Sequence, residues 1–230
     1  MIHDFKLTII NCILIAFAFT NAELILKLVA LVFTIVYTGY KIVEIHQNLK
    51  NKKMDQISID RIKTLHPKIR QEVLDLYTKA NNLELGKGVR LRLSYTFRTF
   101  EEQDKLYAQG RTIKGDKVTN AKGGQSIHNY GFALDIVLMY DKDGDGKFEE
   151  VSWDTKRDGD KDGISDWLEV TKIFTSAGYT NGFITNGKKW DLPHFQRDFG
   201  LSWQKMKAKL DSKDYIEETI NGYKYKYINI

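Results

Sequence analysis

Apolar positions divide the chain into two stretches of different character. From Leu7 to Phe19 only Thr8 and Asn11 interrupt an apolar run, and from Leu24 to Val43 apolar residues recur with no continuous polar face. As a helix, the first run is about 20 Å long. It falls short of the roughly 30 Å hydrocarbon core of a bilayer unless it extends from Phe5 to Ala22, whereas the second run reaches across. Lys27 and Lys41 lie near the ends of the second run, where their stems snorkel, and Tyr37 and Tyr40 suit the interface. The pattern predicts a transmembrane helical hairpin over 1–47, turning at Thr20–Glu23, with membrane contact through residues 5–43 and a surface for hairpin oligomerisation. A single anchor is the nearest alternative; a cleaved leader is disfavoured because a second long apolar run follows.

The polar residues 48–57 read as a linker, and 58–230 as a separate domain whose pattern switches to ordinary globular periodicities. Ile62, Leu65, Ile69, Val73, Leu74 and Tyr77 recur at three- and four-residue steps, predicting two helices parted at Pro67. Strict alternation over Val89–Tyr95 predicts a half-buried strand, and Phe100–Gln109 a helix stopped by Gly110. Phe132–Tyr140 reads as an apolar strand, Asp141–Asp166 as an Asp/Gly-rich loop, and Trp167–Ala177 as a helix ended by Gly178. Short strand and loop follow to Phe199, then a helix from Leu201 to Leu210 and a final strand in Tyr223–Ile230. Together these elements predict an α+β domain: a small antiparallel sheet with flanking helices, preceded by the hairpin.

Charge changes this picture only at the flanks. Lys41, Lys50, Lys52 and Lys53 follow the second apolar run and hold that side, with the domain after it, in the cytoplasm. The formal net charge of +5 favours anionic surroundings, but no basic block interleaved with aromatics points to nucleic acid, which is excluded as a partner. The single cysteine, Cys12, rules out an internal disulfide and a cysteine-based zinc cage.

Candidate chemistry concentrates in two short motifs. Ser126–Asp135 holds His128 and Asp135 seven residues apart, with Gly131 allowing the backbone to turn between them and Ala133 leaving space. Downstream, Asp191 precedes His194 by three residues across Leu192-Pro193. A hydrolytic zinc takes three ligands from histidine and carboxylate and leaves one position open, so His128, Asp135 and His194 form a suitable set. Asp191 is then placed to take a proton from the attacking water and return it to the leaving amine. Structural, hydrogen-bonded histidines are the other reading of the same residues.

The arrangement Ser126-x-His128-x-x-Gly131-x-Ala133-x-Asp135, with Asp191-x-x-His194 downstream and Arg98-Thr-Phe-Glu-Glu-Gln103 upstream, resembles the VanY-like zinc peptidases of peptidoglycan. That family includes D-Ala-D-Ala carboxypeptidases and L-alanyl-D-glutamate endopeptidases, and the resemblance covers Ser58–Ile230. It implies His128, Asp135 and His194 as zinc ligands and Asp191 as the base, where many relatives carry glutamate. It implies Arg98 as the arginine that polarises the scissile carbonyl, a role suited to a fixed, permanently charged fork. Gln103 and Ser126 are implied as supports for Arg98 and the ligands. The segments Gly123–Gly131, Ser152–Asp154 and Asp166–Glu169 are similar to those of the endopeptidase branch found in bacterial and phage lytic enzymes.

The Asp-rich loop carries a second pattern. Asp158, Asp160, Asp162, Gly163, Asp166 and Glu169 occupy the first, third, fifth, sixth, ninth and twelfth positions of a calcium-loop template. Asp141-x-Asp143-x-Asp145-Gly146 begins the same way, but Ser152 stands where the bidentate carboxylate belongs. Calcium at the second loop would order the segment beside Asp135 and gate the enzyme; Asp/Gly turns without an ion are the alternative.

The expected function is therefore a membrane-attached zinc L-alanyl-D-glutamate endopeptidase acting on peptidoglycan stem peptides in cell lysis, endolysin-like, at the inner or cytoplasmic membrane of a bacterial cell. A D-Ala-D-Ala carboxypeptidase in wall remodelling is the second enzymatic reading. A non-catalytic, holin-like or wall-binding membrane protein is a third, and it predicts damage at ligand or base positions that are intact here.

Overall fold

An apolar stretch followed by a polar end builds the first helix, α1 (Ala22–Asn51), in the computed structural model, which describes residues 22–51, 54–185 and 188–230. Its segment Ile25–Val43, with mean hydropathy 1.7, is long and apolar enough to cross a membrane, and Leu26, Phe33, Ile35 and Val36 stand exposed on it. The hydroxyls of Thr34 and Thr38 donate to carbonyls four residues back at 2.8 and 2.7 Å. Those bonds satisfy inside the helix groups that a hydrocarbon surrounding leaves unpaired. The first apolar run, Leu7–Phe19, lies outside the described residues. Ala22 and Glu23, expected in a turn, are already helical.

The chain divides into two units, Met1–Lys52 and Lys53–Ile230. Polar residues 48–51, expected as linker, continue α1, because nothing in Asn48–Asn51 breaks a helix. The second unit begins earlier than the expected Ser58. Asp55 caps helix α2 (Gln56–Lys63), accepting from the Ser58 N–H at 3.1 Å, and it receives Arg92 of the sheet at 2.9 and 3.0 Å. A buried, doubly paired carboxylate of this kind belongs to the fold and not to a linker.

Pro67 opens α3 (Pro67–Lys79), where its missing N–H costs nothing. A single π turn, Ala80–Glu84, extends α3 and was not predicted from the sequence. In it, Asn81 accepts from the Leu91 N–H at 2.9 Å, tying the helix to the sheet.

The main sheet contains strands β1 (Val89–Tyr95), β2 (Ala133–Tyr140), β3 (Glu150–Ser152), β4 (Thr180–Thr185) and β5 (Lys188–Gln196), in order β1-β2-β5-β4. All of its pairings are antiparallel. On the side away from β1, β2 pairs with β5 through Ala133–Asp135 and with β3 through Leu138–Tyr140. Helices α4 (Phe100–Ala108), α5 (Asp166–Ser176) and α6 (Trp203–Asp211) complete the unit. Strands β6 (Tyr215–Ile220) and β7 (Tyr223–Ile228) form a separate hairpin, of which only the second strand was expected. The observed class is α+β, as expected from the alternation and helical periods.

Leu91, Leu93, Leu134, Ile136 and Leu138 of the sheet pack with Ile69, Val73, Tyr77, Phe174 and Phe195 in one core. Burial of each such side chain contributes about 1.5–3 kcal/mol. Strand β2 is buried along its whole length except at Asp135, which is only partly covered. The centre of the sheet thus opens to solvent at one carboxylate.

Candidate active site

His128 lies on a 3₁₀ turn, Ile127–Tyr130, ahead of β2. Gly131 ends that turn with φ 75°. A Cβ there would meet the His66 nitrogen at 2.7 Å, so this position requires glycine on both counts. Ser126 opens the turn, its N–H donating to Asn129 Oδ1 at 3.2 Å. Asn129 in turn donates to the carbonyls of Arg98 and Thr99 at 2.8 and 3.2 Å. The segment after β1 and the histidine turn are thereby knitted together.

Asp135 and His194 are direct partners across the β2–β5 ladder. Cross-strand partners project to the same face, so the sheet itself brings the two ends of the sequence together. His194 Nδ1 lies 3.0 Å from Asp135 Oδ1, His128 Nε2 lies 3.2 Å from the same oxygen, and the two ring nitrogens are 3.2 Å apart. Ligand atoms about 2.0–2.1 Å from a tetrahedral zinc ion lie roughly 3.3 Å from one another. The triangle fits such an ion.

The outer nitrogens of both rings support the same conclusion. His128 Nδ1 donates to the Thr96 carbonyl at 2.6 Å, and His194 Nε2 donates to Gln196 Oε1 at 3.0 Å. Gln196 Nε2 donates onward to Asp198 at 3.1 Å, which fixes its amide with the oxygen toward His194. With each outer nitrogen protonated, both inner nitrogens present lone pairs to the shared centre, the tautomer a metal needs. Both histidines are almost fully buried, at 3 and 4 % exposure. Burial would raise Asp135, but when His128 and His194 carry protons on their inner nitrogens, their charge and hydrogen bonds overcome it and hold the carboxyl well below the usual range. Among the described residues, His128, Asp135 and His194 form one of three groups able to hold a metal ion, and the only one containing histidine.

Arg98 follows β1 and lies almost buried beside this triangle. Its Nη2 is 3.6 Å from Asp135 Oδ2, the oxygen turned away from the histidines. Gln103 of α4, fully buried, accepts from Arg98 Nη1 at 2.8 Å and donates to the Ala121 carbonyl at 2.8 Å. The Tyr95 ring lies 4.5 Å from the guanidinium carbon. Arg98 Nε is buried with no hydrogen-bond partner among the described residues.

Asp191 adopts φ 57° in an irregular part of β5, where the β4–β5 register shifts between Asn181 and Phe183. Asn181 donates to the carbonyls of Leu192 and His194 at 2.6 and 3.1 Å, which holds the irregularity in place. Desolvation by the surrounding walls, followed by the Asp135 charge, raises the Asp191 carboxyl above the ordinary aspartate range, against the pull of His194, His128 and Arg98. Arg98, Ser126, His128, Asp135, Asp191 and His194 all line one cleft of about 680 Å³. Leu106, Val118, Leu201 and Trp203 add apolar walls.

The structure adds Thr96, Asn181, Gln196 and Trp203 to the residues read from sequence. Of these only Gln196 had a signal, since a residue two places after His194 on a strand shares its face. By contrast His66, also buried, donates through Nε2 to the Ile228 carbonyl at 2.9 Å, accepts the Lys68 N–H at 3.1 Å and stacks on Phe132. It is a structural histidine.

Residues 63–179 match the VanY family, described as D-alanyl-D-alanine carboxypeptidase. The match includes Arg98, His128 and Asp135 and stops short of Asp191 and His194. The chain is 43% identical over 132 residues, 57% of its length and 72% of the relative's, to the peptidoglycan L-alanyl-D-glutamate endopeptidase CwlK of Bacillus subtilis (strain 168). A solved structure of the vancomycin-resistance D,D-dipeptidase VanXYg, in complex with a D-Ala-D-Ala phosphinate analogue, aligns at 16% identity. That alignment has a TM-score of 0.39 over 71% of this chain and 68% of the other. On the family match and the identity to CwlK, the chain belongs to the VanY family of peptidoglycan peptidases.

Proposed function

We propose that the chain is a zinc endopeptidase that hydrolyses the L-alanyl–D-glutamyl bond of peptidoglycan stem peptides while attached to a membrane through α1. The observation that carries the zinc assignment is the 3.0–3.2 Å triangle of Asp135, His128 and His194, with both outer imidazole nitrogens committed to carbonyl oxygens. The choice of bond rests on the 43% identity to CwlK.

His128, Asp135 and His194 hold the ion, which when bound supplies the Lewis-acid charge that acidifies water and polarises a carbonyl. Asp191 takes the proton from the attacking water and delivers it to the departing amine, a task suited to a carboxyl raised above the ordinary aspartate range. Arg98 presents its fork, fixed by Gln103, to the oxygen on which negative charge develops. Ser126 positions the histidine turn through its backbone. The apolar wall of Leu106, Val118, Leu201 and Trp203 receives the peptide beside the charged centre.

Hydrolysis of purified muropeptides followed by mass spectrometry tests the choice of bond. Products ending in L-alanine support the endopeptidase. Release of free D-alanine supports instead the D,D-carboxypeptidase reading, which the family's description favours.

The membrane reading rests on the apolar, exposed segment Ile25–Val43. Lys41 and Lys50–Lys53 retain the catalytic unit on the cytoplasmic side, away from the wall until the membrane fails, as suits a lysis enzyme with a holin-like amino-terminal hairpin that oligomerises. Protease digestion of a carboxy-terminal tag in intact spheroplasts tests it. Protection supports the cytoplasmic side, and cleavage identifies a resident wall enzyme.

A further inference from the structure

Asp158, Asp160 and Asp166 each direct a carboxylate oxygen to within 4.8 Å of the others. A span of that size matches two oxygens on opposite sides of an ion bound at about 2.3–2.6 Å. Asp166 is fully buried, with Oδ2 accepting the Tyr140 hydroxyl at 2.7 Å and the Gly159 N–H at 3.0 Å. The loop lies close against the sheet: a Cβ at Gly159 would meet Val89 at 2.5 Å, and one at Gly86 would meet Asp160 at 2.3 Å.

A separate observation comes from Glu169, on the first turn of α5. It is 6 % exposed, yet its Oε2 is buried with no hydrogen-bond partner among the described residues. The carboxylates of Asp162, Asp160 and Asp166 stand around it and add repulsion to the cost of its burial. A buried carboxylate facing three more acids, without a donor, marks a position where positive charge is missing. The nearby Arg157 is already engaged, donating to Glu150 at 2.8 Å and stacking on Tyr140.

We propose that Asp158–Glu169 is a calcium site in which Asp158, Asp160, Asp162 and Asp166 supply oxygens and Glu169 closes the coordination from α5. Oxygen-only donors select a hard cation, and the spread of the group suits calcium better than magnesium, which demands near-octahedral ligands at about 2.0–2.1 Å. The ion fixes the loop against the end of β2 through Asp166 and Tyr140; Asp135 lies five residues earlier on that strand. The neighbouring group Asp141, Asp145 and Glu149 is open to solvent and has no such buried carboxylate, so no site is assigned to it.

The test uses the full chain in detergent, freed of divalent ions, with calcium, magnesium and terbium added separately. Calcium is expected to raise the melting temperature in a saturable way, and terbium to show luminescence sensitised by the adjacent Trp167. Glu169→Gln is expected to weaken calcium at least tenfold while raising the melting point of the ion-free protein. Asp162→Asn changes only an exposed side chain, so it keeps the fold, and it is expected to weaken calcium by a similar factor. Absence of any calcium-dependent shift up to roughly 10 mM, above the weakest range for such loops, overturns the proposal. So does wild-type affinity in both variants, or an equal response to magnesium.

Discussion

Asp135 and His194 face each other across the β2–β5 ladder, with 3.0 Å between carboxylate and imidazole. A two-residue slip of either strand would separate them, so the register of this short pairing fixes the site. The same face of β5 carries Gln196, whose carbonyl fixes the His194 tautomer. Gln196→Leu is expected to leave the fold intact but weaken zinc affinity about 10–100-fold, the usual cost of losing such a partner. A chelator competition on purified protein reads this directly.

Arg98 is fixed by Gln103 and Asp135 and stacks on Tyr95. Arg98→Lys keeps the charge and loses the planar fork, so kcat should fall about 10²–10³-fold with metal content and KM little changed. Gln103→Leu leaves the arginine in place without its anchor and is expected to cost less. Steady-state kinetics with metal analysis separates these outcomes from loss of the ion.

Glu169 makes calcium-free stability depend on pH. Its folded pKa, about 7, lies above the ordinary 4.5, so its stabilising protonation is complete below about pH 4.5 and is lost as pH rises through 7. His66 acts in the opposite direction: burial lowers its pKa, so it destabilises the fold as pH falls below about 6.5. The difference between wild type and Glu169→Gln isolates the first effect. Melting curves from pH 5 to 8 in chelator should show the wild type losing ground to the variant as pH rises.

Phe33 lies near the middle of the apolar segment of α1 and is 71% exposed. Phe33→Lys places a charge at the centre of the proposed span at a cost of about 2.5–3.5 kcal/mol, roughly a hundredfold in partitioning. Recovery of the variant in the soluble fraction is expected; unchanged sedimentation with membranes contradicts the anchor.

Sequence made the site unusually legible because its chemistry lies in short motifs: histidine and carboxylate at fixed offsets, and an arginine with glutamine five residues on. The sheet order was less accessible, since the pairing of Asp135 with His194 joins residues 59 apart and depends on a tertiary register. The 3₁₀ turn at His128 hid within an apolar run, and only Gly131 signalled it. Strand β6 was missed because Tyr215–Ile220 has one buried residue and so carries almost no alternation. Asn181 gave no warning, because its role is to pin two carbonyls across an irregular β5.

The most direct test of the mechanism is the rate of muropeptide hydrolysis by the full chain carrying Asp191→Asn, with its zinc content measured in the same preparation. The mechanism predicts one bound zinc and a rate at least about 10²–10⁴-fold below wild type, the range for loss of a general acid–base group. A variant that hydrolyses stem peptides at the wild-type rate would contradict it.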